Sequence, residues 1–205
     1  MSENPNITKI VITGGPCAGK TTAMEHINNV FSKMGYTVLF VAETATELIS
    51  GGISPWALCS NADYQTCQLK LQIAKERIFE EGAKKLRSDS DILIVCDRGI
   101  MDNRAYMTRE DFDNITNQLN LTEEQINSEY GAVFHLVTAA KGATMHYTTA
   151  NNAARTETID EAITLDDKLI SAWSTHPYHR IIDNSGSFED KLERLIYEIK
   201  EFLKQ

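Results

Sequence analysis

Cysteine is scarce in this chain. Four occur among 205 residues, Cys17, Cys59, Cys67 and Cys96, and none forms a C-x-x-C pair. The zinc-ribbon and thioredoxin patterns are therefore absent. Cys17 lies in a glycine turn and Cys96 ends an apolar run, positions that suit free thiols in a reducing cytosol, so the expected location is cytoplasmic. Long apolar runs are missing too; nothing approaches the length of a membrane span. The opening MSENPNITK is polar, unlike a secretion signal. Positive charge is short: 20 Lys and Arg face 29 Asp and Glu, for a net charge of -9. With no basic stripe, binding to DNA, RNA or anionic lipid is disfavoured. No internal repeat, low-complexity tail or long linker divides the chain, so residues 1–205 read as one domain. Hydrophobic residues at 42% and charged residues at 24% are enough for one large core.

What is present begins with Ile7 to Thr22, ITKIVITGGPCAGKTT. An apolar run stops at Gly14-Gly15, and Pro16-Cys17-Ala18 lead to Gly19, Lys20, Thr21 and Thr22. Gly14 and Gly19 bracket four residues before Lys20-Thr21, the G-x-x-x-x-G-K-[ST] phosphate-loop pattern, with a strand before it and a helix after it. Glycines let the backbone turn and approach an anion, successive N–H groups form a nest, and a helix N-terminus adds its positive end. Lys20 is expected to reach the β- and γ-phosphates of a nucleoside triphosphate, ATP or GTP, and the Thr21 hydroxyl to hold Mg²⁺.

Further on, hydrophobic spacing predicts strands over Thr8–Thr13, Tyr36–Ala42, Asp91–Cys96, Ala132–Val137 and His179–Ile182. Helices are expected over Gly19–Met34, from Glu43 to Ile49, over Asp63–Arg87, Ile159–Trp173 and Ser187–Leu203. Phe188, Leu192, Leu195, Ile196 and Ile199 should face the core. Thr108 and Thr122 read as helix starts, the second within a capping box. The β-α-β order implies an α/β fold with a parallel sheet and right-handed crossovers. Ala139–Thr158, rich in Ala, Thr and Asn, reads as a mobile flap, a lid over the ligand.

In such a sheet, ligands bind beyond the carboxyl ends of the strands. Glu43 follows the second strand, Asp97 and Arg98 the third, and Asp183 and Asn184 the fifth. Asp97 is placed to hold Mg²⁺ opposite Thr21; the alternative is a helix cap. Glu43 is a base for an acceptor hydroxyl, a grip on one, or a first-turn acid complementing the helix dipole. Arg98 is placed for acceptor or phosphate oxygens. Arg155, in the flap, is either an arginine that folds onto the transferring phosphoryl group or an exposed helix residue. Asp183 and Asn184 are expected to line the base pocket. Trp56, Tyr64 and Trp173 read equally well as core and are assigned no role.

GGPCAGKTT, VAETATELISGG, VCDRG, AARTET and HPYHRIIDNS resemble a family of small AAA-type ATP-binding domains built like nucleoside and nucleotide kinases. The resemblance covers nearly the whole chain. The family is similar to the ribosylnicotinamide-kinase domain and includes the nucleotide-binding part of the TRP-channel translocation-defect protein. It implies a P-loop NTPase fold with a five-stranded parallel sheet of order 2-3-1-4-5 and a small lid. It carries phosphate binding to Gly14–Thr22, magnesium to Thr21 and Asp97, an acceptor-side acid to Glu43 and a lid arginine to Arg155. Where the ribosyl-kinase pattern has an arginine soon after its acid, this chain has Thr44-Ala45-Thr46. The N-K-x-D guanine motif is missing as well. The expected function is a Mg-dependent kinase moving the γ-phosphate of ATP or GTP to a nucleoside- or nucleotide-like small-molecule acceptor. The alternative is a nucleotide-dependent binding module or switch with slow hydrolysis.

Overall fold

The computed structural model describes residues 5–143 and 158–204. Five parallel strands form one sheet: β1 (Ile7–Gly14), β2 (Thr37–Val41), β3 (Ile92–Asp97), β4 (Ala132–Leu136) and β5 (His179–Ile182), in the order β2-β3-β1-β4-β5. This is the order the family resemblance implied. β1 is central. It places Ile12 opposite Asp97 on β3 and Gly14 opposite Leu136 on β4, which fixes which loops meet above the sheet.

Alternation along the buried strands divides the core in two. Val11, Ile94 and Cys96 pack with Leu69, Ile126 and Trp173 on one face. Ile10, Ile12, Val95 and Phe134 pack with Ile27, Phe31 and Leu195 on the other. Helices α1 (Lys20–Lys33), α2 (Thr44–Ser50), α3 (Asn61–Ala83), α4 (Arg109–Gln118), α5 (Glu123–Ser128), α6 (Ile159–Ala172) and α7 (Phe188–Leu203) connect and cover the strands, with a 3₁₀ turn over Ile100–Ala105.

Local chemistry sets the helix ends. α1 closes with Gly35 N–H donating to Ser32 and Tyr36 N–H to Phe31, while the Phe31 and Tyr36 rings meet edge to face at 5.8 Å. That is the Schellman bond pattern with its apolar contact. Thr108 and Thr122 cap α4 and α5 through Asp111 N–H and Gln125 N–H, as their spacing predicted. Two expectations need correction. α3 begins at Asn61, because the Ser60 hydroxyl accepts from Asp63 N–H, and it ends at Ala83 rather than Arg87. Phe188 is 39% exposed and lies outside the core, its ring resting instead against Gly19.

Candidate functional site

The phosphate loop is a sharp bend held from below. Gly14 adopts φ +149°, and a Cβ there would sit 2.2 Å from the Leu136 carbonyl oxygen. Cys17 has φ +56°, a left-handed conformation that costs a non-glycine residue roughly 1–2 kcal/mol. Gly19, at φ +88°, is the N-cap of α1, which has no side-chain cap. Among the described residues, the N–H groups of Ala18, Gly19, Lys20, Thr21 and Thr22 have no acceptor. A helix start leaves such donors over, and here they lie along one short bend. Pro16 contributes no N–H; its carbonyl instead accepts from the Thr138 hydroxyl.

Around the bend stand the side chains expected from the strand ends. Lys20 Nζ donates back to the Gly14 carbonyl at 3.4 Å. Arg98 Nη1 donates to the same oxygen, also at 3.4 Å. Arg98 Nε lies 2.6 Å from Glu43 Oε1, and the Thr46 hydroxyl donates to Glu43 Oε2 at 2.6 Å. Glu43, Lys20, Asp97 and Arg98 thus form one electrostatic group, as their mutual influence on proton affinity shows. Burial would raise the Glu43 carboxyl, but the charges of Arg98 and Lys20 outweigh it and hold its pKa at about 2. Asp97 moves the other way: burial raises it, Glu43 adds to the rise, and the opposing pull of Lys20 and Arg98 does not cancel them. Burial and the Arg98 charge lower Lys20.

Asp97 Oδ1 is buried and has no hydrogen-bond partner. An orphaned carboxylate oxygen is costly to hold in the folded state, and such groups concentrate where a ligand satisfies them. Among the described residues no cluster of three or more His, Cys, Asp or Glu side chains is arranged to hold a metal. One carboxylate and one hydroxyl, completed by phosphate oxygens and water, is nevertheless an ordinary arrangement for Mg²⁺. Asp97 and the exposed Thr21 fit that pattern, and the free N–H groups fit a polyphosphate.

A second set of residues, unforeseen from the sequence, anchors the loop. Asp166 on α6 is fully buried, and its Oδ1 accepts from Gly15 N–H (3.0 Å) and Thr138 N–H (3.1 Å) and contacts His135 Nε2 (3.0 Å). Lys141 donates to Asp166 Oδ2 at 2.9 Å. Burial opposes ionisation of Asp166, but the contacts with His135 and Lys141 and the Gly15 N–H bring its pKa to about 2. Lys191, at the start of α7, donates to the carbonyls of Ala18 (3.2 Å) and Val137 (2.6 Å) and to Asn184 Oδ1 (2.7 Å); burial lowers its pKa to about 8. Asp102 accepts from the Thr13 hydroxyl, Gly99 N–H and Trp173 Nε1, tying the turn after Asp97 to the end of β1. One signal was available: Asp166 falls on the apolar stripe of α6 with Ala162, Leu169 and Ala172.

The remaining sequence candidates divide. Asn184 donates through Nδ2 to the carbonyls of Thr138 and Lys141, so its side chain joins β5 to the loop after β4. Asp183 is exposed, bonded to Ser185 and paired with Arg194. Of the expected flap, Ala139 and Ala140 are buried, and Ala139 N–H donates to the Cys17 carbonyl. These two residues brace the phosphate loop because they follow directly on β4. Residues 144–157 of the flap, Arg155 among them, lie outside the described residues. A hollow of about 540 Å³ opens at the opposite, amino-terminal end of the strands, beside Thr8, Lys9 and Phe202. It contains no phosphate-loop residue, and Lys9 in its wall is already paired with Glu76, Glu80 and Glu129.

Sheet order and loop together define an α/β domain of the P-loop NTPase class, whose members bind nucleotides. A family model described as an AAA domain matches residues 9–191. The chain belongs to that AAA-domain family. No curated protein matches the chain. No helix among the described residues is long and apolar enough to cross a membrane.

Proposed function

We propose that this protein is a Mg²⁺-dependent phosphotransferase that moves the γ-phosphate of ATP or GTP onto a small nucleoside- or nucleotide-like acceptor. The observation that carries this reading is the Glu43–Arg98 pair, set at the ends of neighbouring strands beside the unpartnered Asp97 oxygen. A binding module needs the loop and the metal acid, but gains nothing from a second, paired carboxylate next to them. The N–H groups from Ala18 to Thr22 and the Lys20 ammonium take the phosphates. Thr21 and Asp97 hold Mg²⁺, which when bound neutralises charge on the β- and γ-oxygens. Glu43, kept ionised by Arg98, accepts a hydrogen bond from the acceptor hydroxyl and aligns its oxygen on the γ-phosphorus. Arg98 offers its guanidinium to charge developing on the transferred group. Arg155 is assigned the lid position, and Asp183 and Asn184 the base side. The likeness of the motifs to a ribosylnicotinamide-kinase domain supports transfer to an acceptor, while Thr44-Ala45-Thr46 argues that the acceptor is a different one.

Incubating the protein with Mg-ATP or Mg-GTP and single nucleosides or polyols, and following the γ-phosphate, tests this. Acceptor-dependent transfer that is lost in Glu43→Gln is the expected result. Tight nucleotide binding without acceptor-stimulated turnover identifies a switch instead. Lys20→Ala removes a charge-assisted contact worth about 1.5–3 kcal/mol, so triphosphate affinity should drop roughly 10- to 100-fold with the circular dichroism spectrum unchanged. Unaltered affinity in that variant overturns both readings.

A further inference from the structure

One face of α3 is buried yet polar. Tyr64, Gln65, Gln68, Gln72 and Glu76 are between 2% and 8% exposed. Tyr64, Gln68, Gln72 and Glu76 recur every fourth residue and form a single stripe, with Gln65 beside its first member. Polar side chains survive burial only when hydrogen-bonded. From Gln68 onward they are. Gln68 Nε2 donates to Asn103 Oδ1 (2.9 Å), Asn103 Nδ2 to Gln72 Oε1 (2.9 Å), Gln72 Nε2 to Glu76 Oε1 (3.1 Å), and the Tyr130 hydroxyl to Glu76 Oε2 (2.8 Å). At the first turn the network stops: the Tyr64 hydroxyl and Gln65 Oε1 are buried without a hydrogen-bond partner.

The unsatisfied end of the stripe is the end above the site. Gln72 Nε2 also reaches the Arg98 carbonyl at 3.4 Å, which puts that turn of α3 level with the end of β3. Glu76, one turn further, contacts Lys9 near the start of β1, so the helix descends along the sheet. Tyr64 precedes Gln72 by two turns, about 12 Å along the axis, and stands beyond the carboxyl ends of the strands. Glu43 is its charged neighbour there; after burial, the Glu43 charge is what raises the Tyr64 phenol.

We propose that Tyr64 and Gln65, together with Glu43 and Arg98, form the acceptor subsite, and that the acceptor is a neutral ribose- or polyol-bearing molecule rather than a phosphorylated one. This rests on the phosphotransferase reading above. The set is rich in hydrogen-bond acceptors: Gln65 Oε1 and the Glu43 carboxylate only accept, while the Tyr64 hydroxyl does either. Such a set selects hydroxyl donors. A phosphate or carboxylate on the acceptor would meet the Glu43 charge and Gln65 Oε1, and the one cation of the set, Arg98, is shared between Glu43 and the transferring phosphoryl group. In the reaction, the acceptor hydroxyl oxygen bonds to the γ-phosphorus as the bond from that phosphorus to the β,γ-bridging oxygen breaks. The bridging electron pair leaves with the nucleoside diphosphate, and the hydroxyl proton passes to Glu43 and then to water.

The test uses γ-labelled ATP with Mg²⁺ and, as probes, ribose, adenosine, cytidine, AMP and CMP, with the wild-type protein, Tyr64→Phe and Gln65→Leu. Label should reach ribose or a nucleoside and neither monophosphate. Each variant should lower kcat/KM for the acceptor roughly 10-fold, the size of one lost hydrogen bond to a buried group. Nucleotide Kd should stay unchanged, and the variants should melt no lower than wild type, since each removes an unpaired buried polar atom. Unchanged acceptor kinetics, or a markedly lower melting temperature in the conservative Tyr64→Phe, overturns the subsite. Label on a monophosphate overturns the subsite and leaves the phosphotransferase standing. No transfer to any probe while ATP is bound overturns the acceptor class; failure of the wild type to bind ATP overturns both readings.

Discussion

Glu43 Oε1 and Arg98 Nε lie 2.6 Å apart, although 55 positions separate the two residues. Each follows a strand, and β2 and β3 are neighbours in the sheet, so the parallel register brings the two loops together. Arg98 adopts φ +73° there, a left-handed conformation held by its own N–H donating to the Ile12 carbonyl. The Glu43 pKa falls from 4.5 to about 2 on folding. The unfolded chain therefore binds more protons in that window, so the stability this pair contributes is present above pH 4.5 and lost as the pH falls through about 2. Its ceiling is about 3 kcal/mol. Urea denaturation at stepped pH should show Arg98→Ala with a shallower loss of stability between pH 5 and 2 than wild type. Parallel curves would mean that the pair contributes nothing.

Asp97 obeys the opposite sign. Its folded pKa lies above the model-peptide value of 3.8, so the folded state holds the proton more tightly and its ionisation destabilises the fold as the pH rises through that range. Asp97→Asn should therefore melt at the same temperature as wild type or higher at neutral pH. The same variant should lose the Mg²⁺-dependent part of nucleotide affinity in calorimetric titrations with and without the metal. A lower melting point without metal would show that the carboxylate has a structural partner.

The contact between Gly19 and Phe188 predicts a non-additive pair. A Cβ on Gly19 would lie 2.5 Å from the Phe188 ring, and φ there is +88°. Gly19→Ala should destabilise by the left-handed penalty of roughly 1–2 kcal/mol plus the clash. Adding Phe188→Ala should restore the clash portion and leave the backbone portion. Strict additivity in the double-mutant cycle would place the ring elsewhere in solution.

Removing Asp166 should be the most damaging single change near the site. Its loss strands Gly15 N–H and Thr138 N–H, leaves the buried His135 without its carboxylate and leaves the Lys141 ammonium with Asp167 alone. Asp166→Ala should cost about 3–5 kcal/mol, as breaking a buried ion pair does. Asp166→Asn keeps one carbonyl acceptor and should cost visibly less in thermal melts. Equal losses would point to charge alone.

The parts legible in the sequence are those with local causes. The glycine bend, the caps at Thr108 and Thr122, and the acids at the carboxyl ends of β2, β3 and β5 follow from spacing within a few residues. The resemblance supplied the sheet order. What escaped is non-local. Asp166 meets Gly15 across 151 positions and Asp102 meets Thr13 across 89, and no short-range pattern marks either partnership. Tyr64 reads equally well as core and Gln65 carries no signal of its own, because a buried polar atom without a partner is visible only in the folded chain. Phe188 fits the apolar period of α7, yet α1 begins close enough to draw its ring out of the core.

Lys191 has a consequence for how the protein is made. It clamps the Ala18 carbonyl from 173 positions downstream. Until α7 has been synthesised the glycine bend lacks that clamp, so the finished geometry of the loop waits on a residue far outside the first βα unit, where the recognisable motif lies.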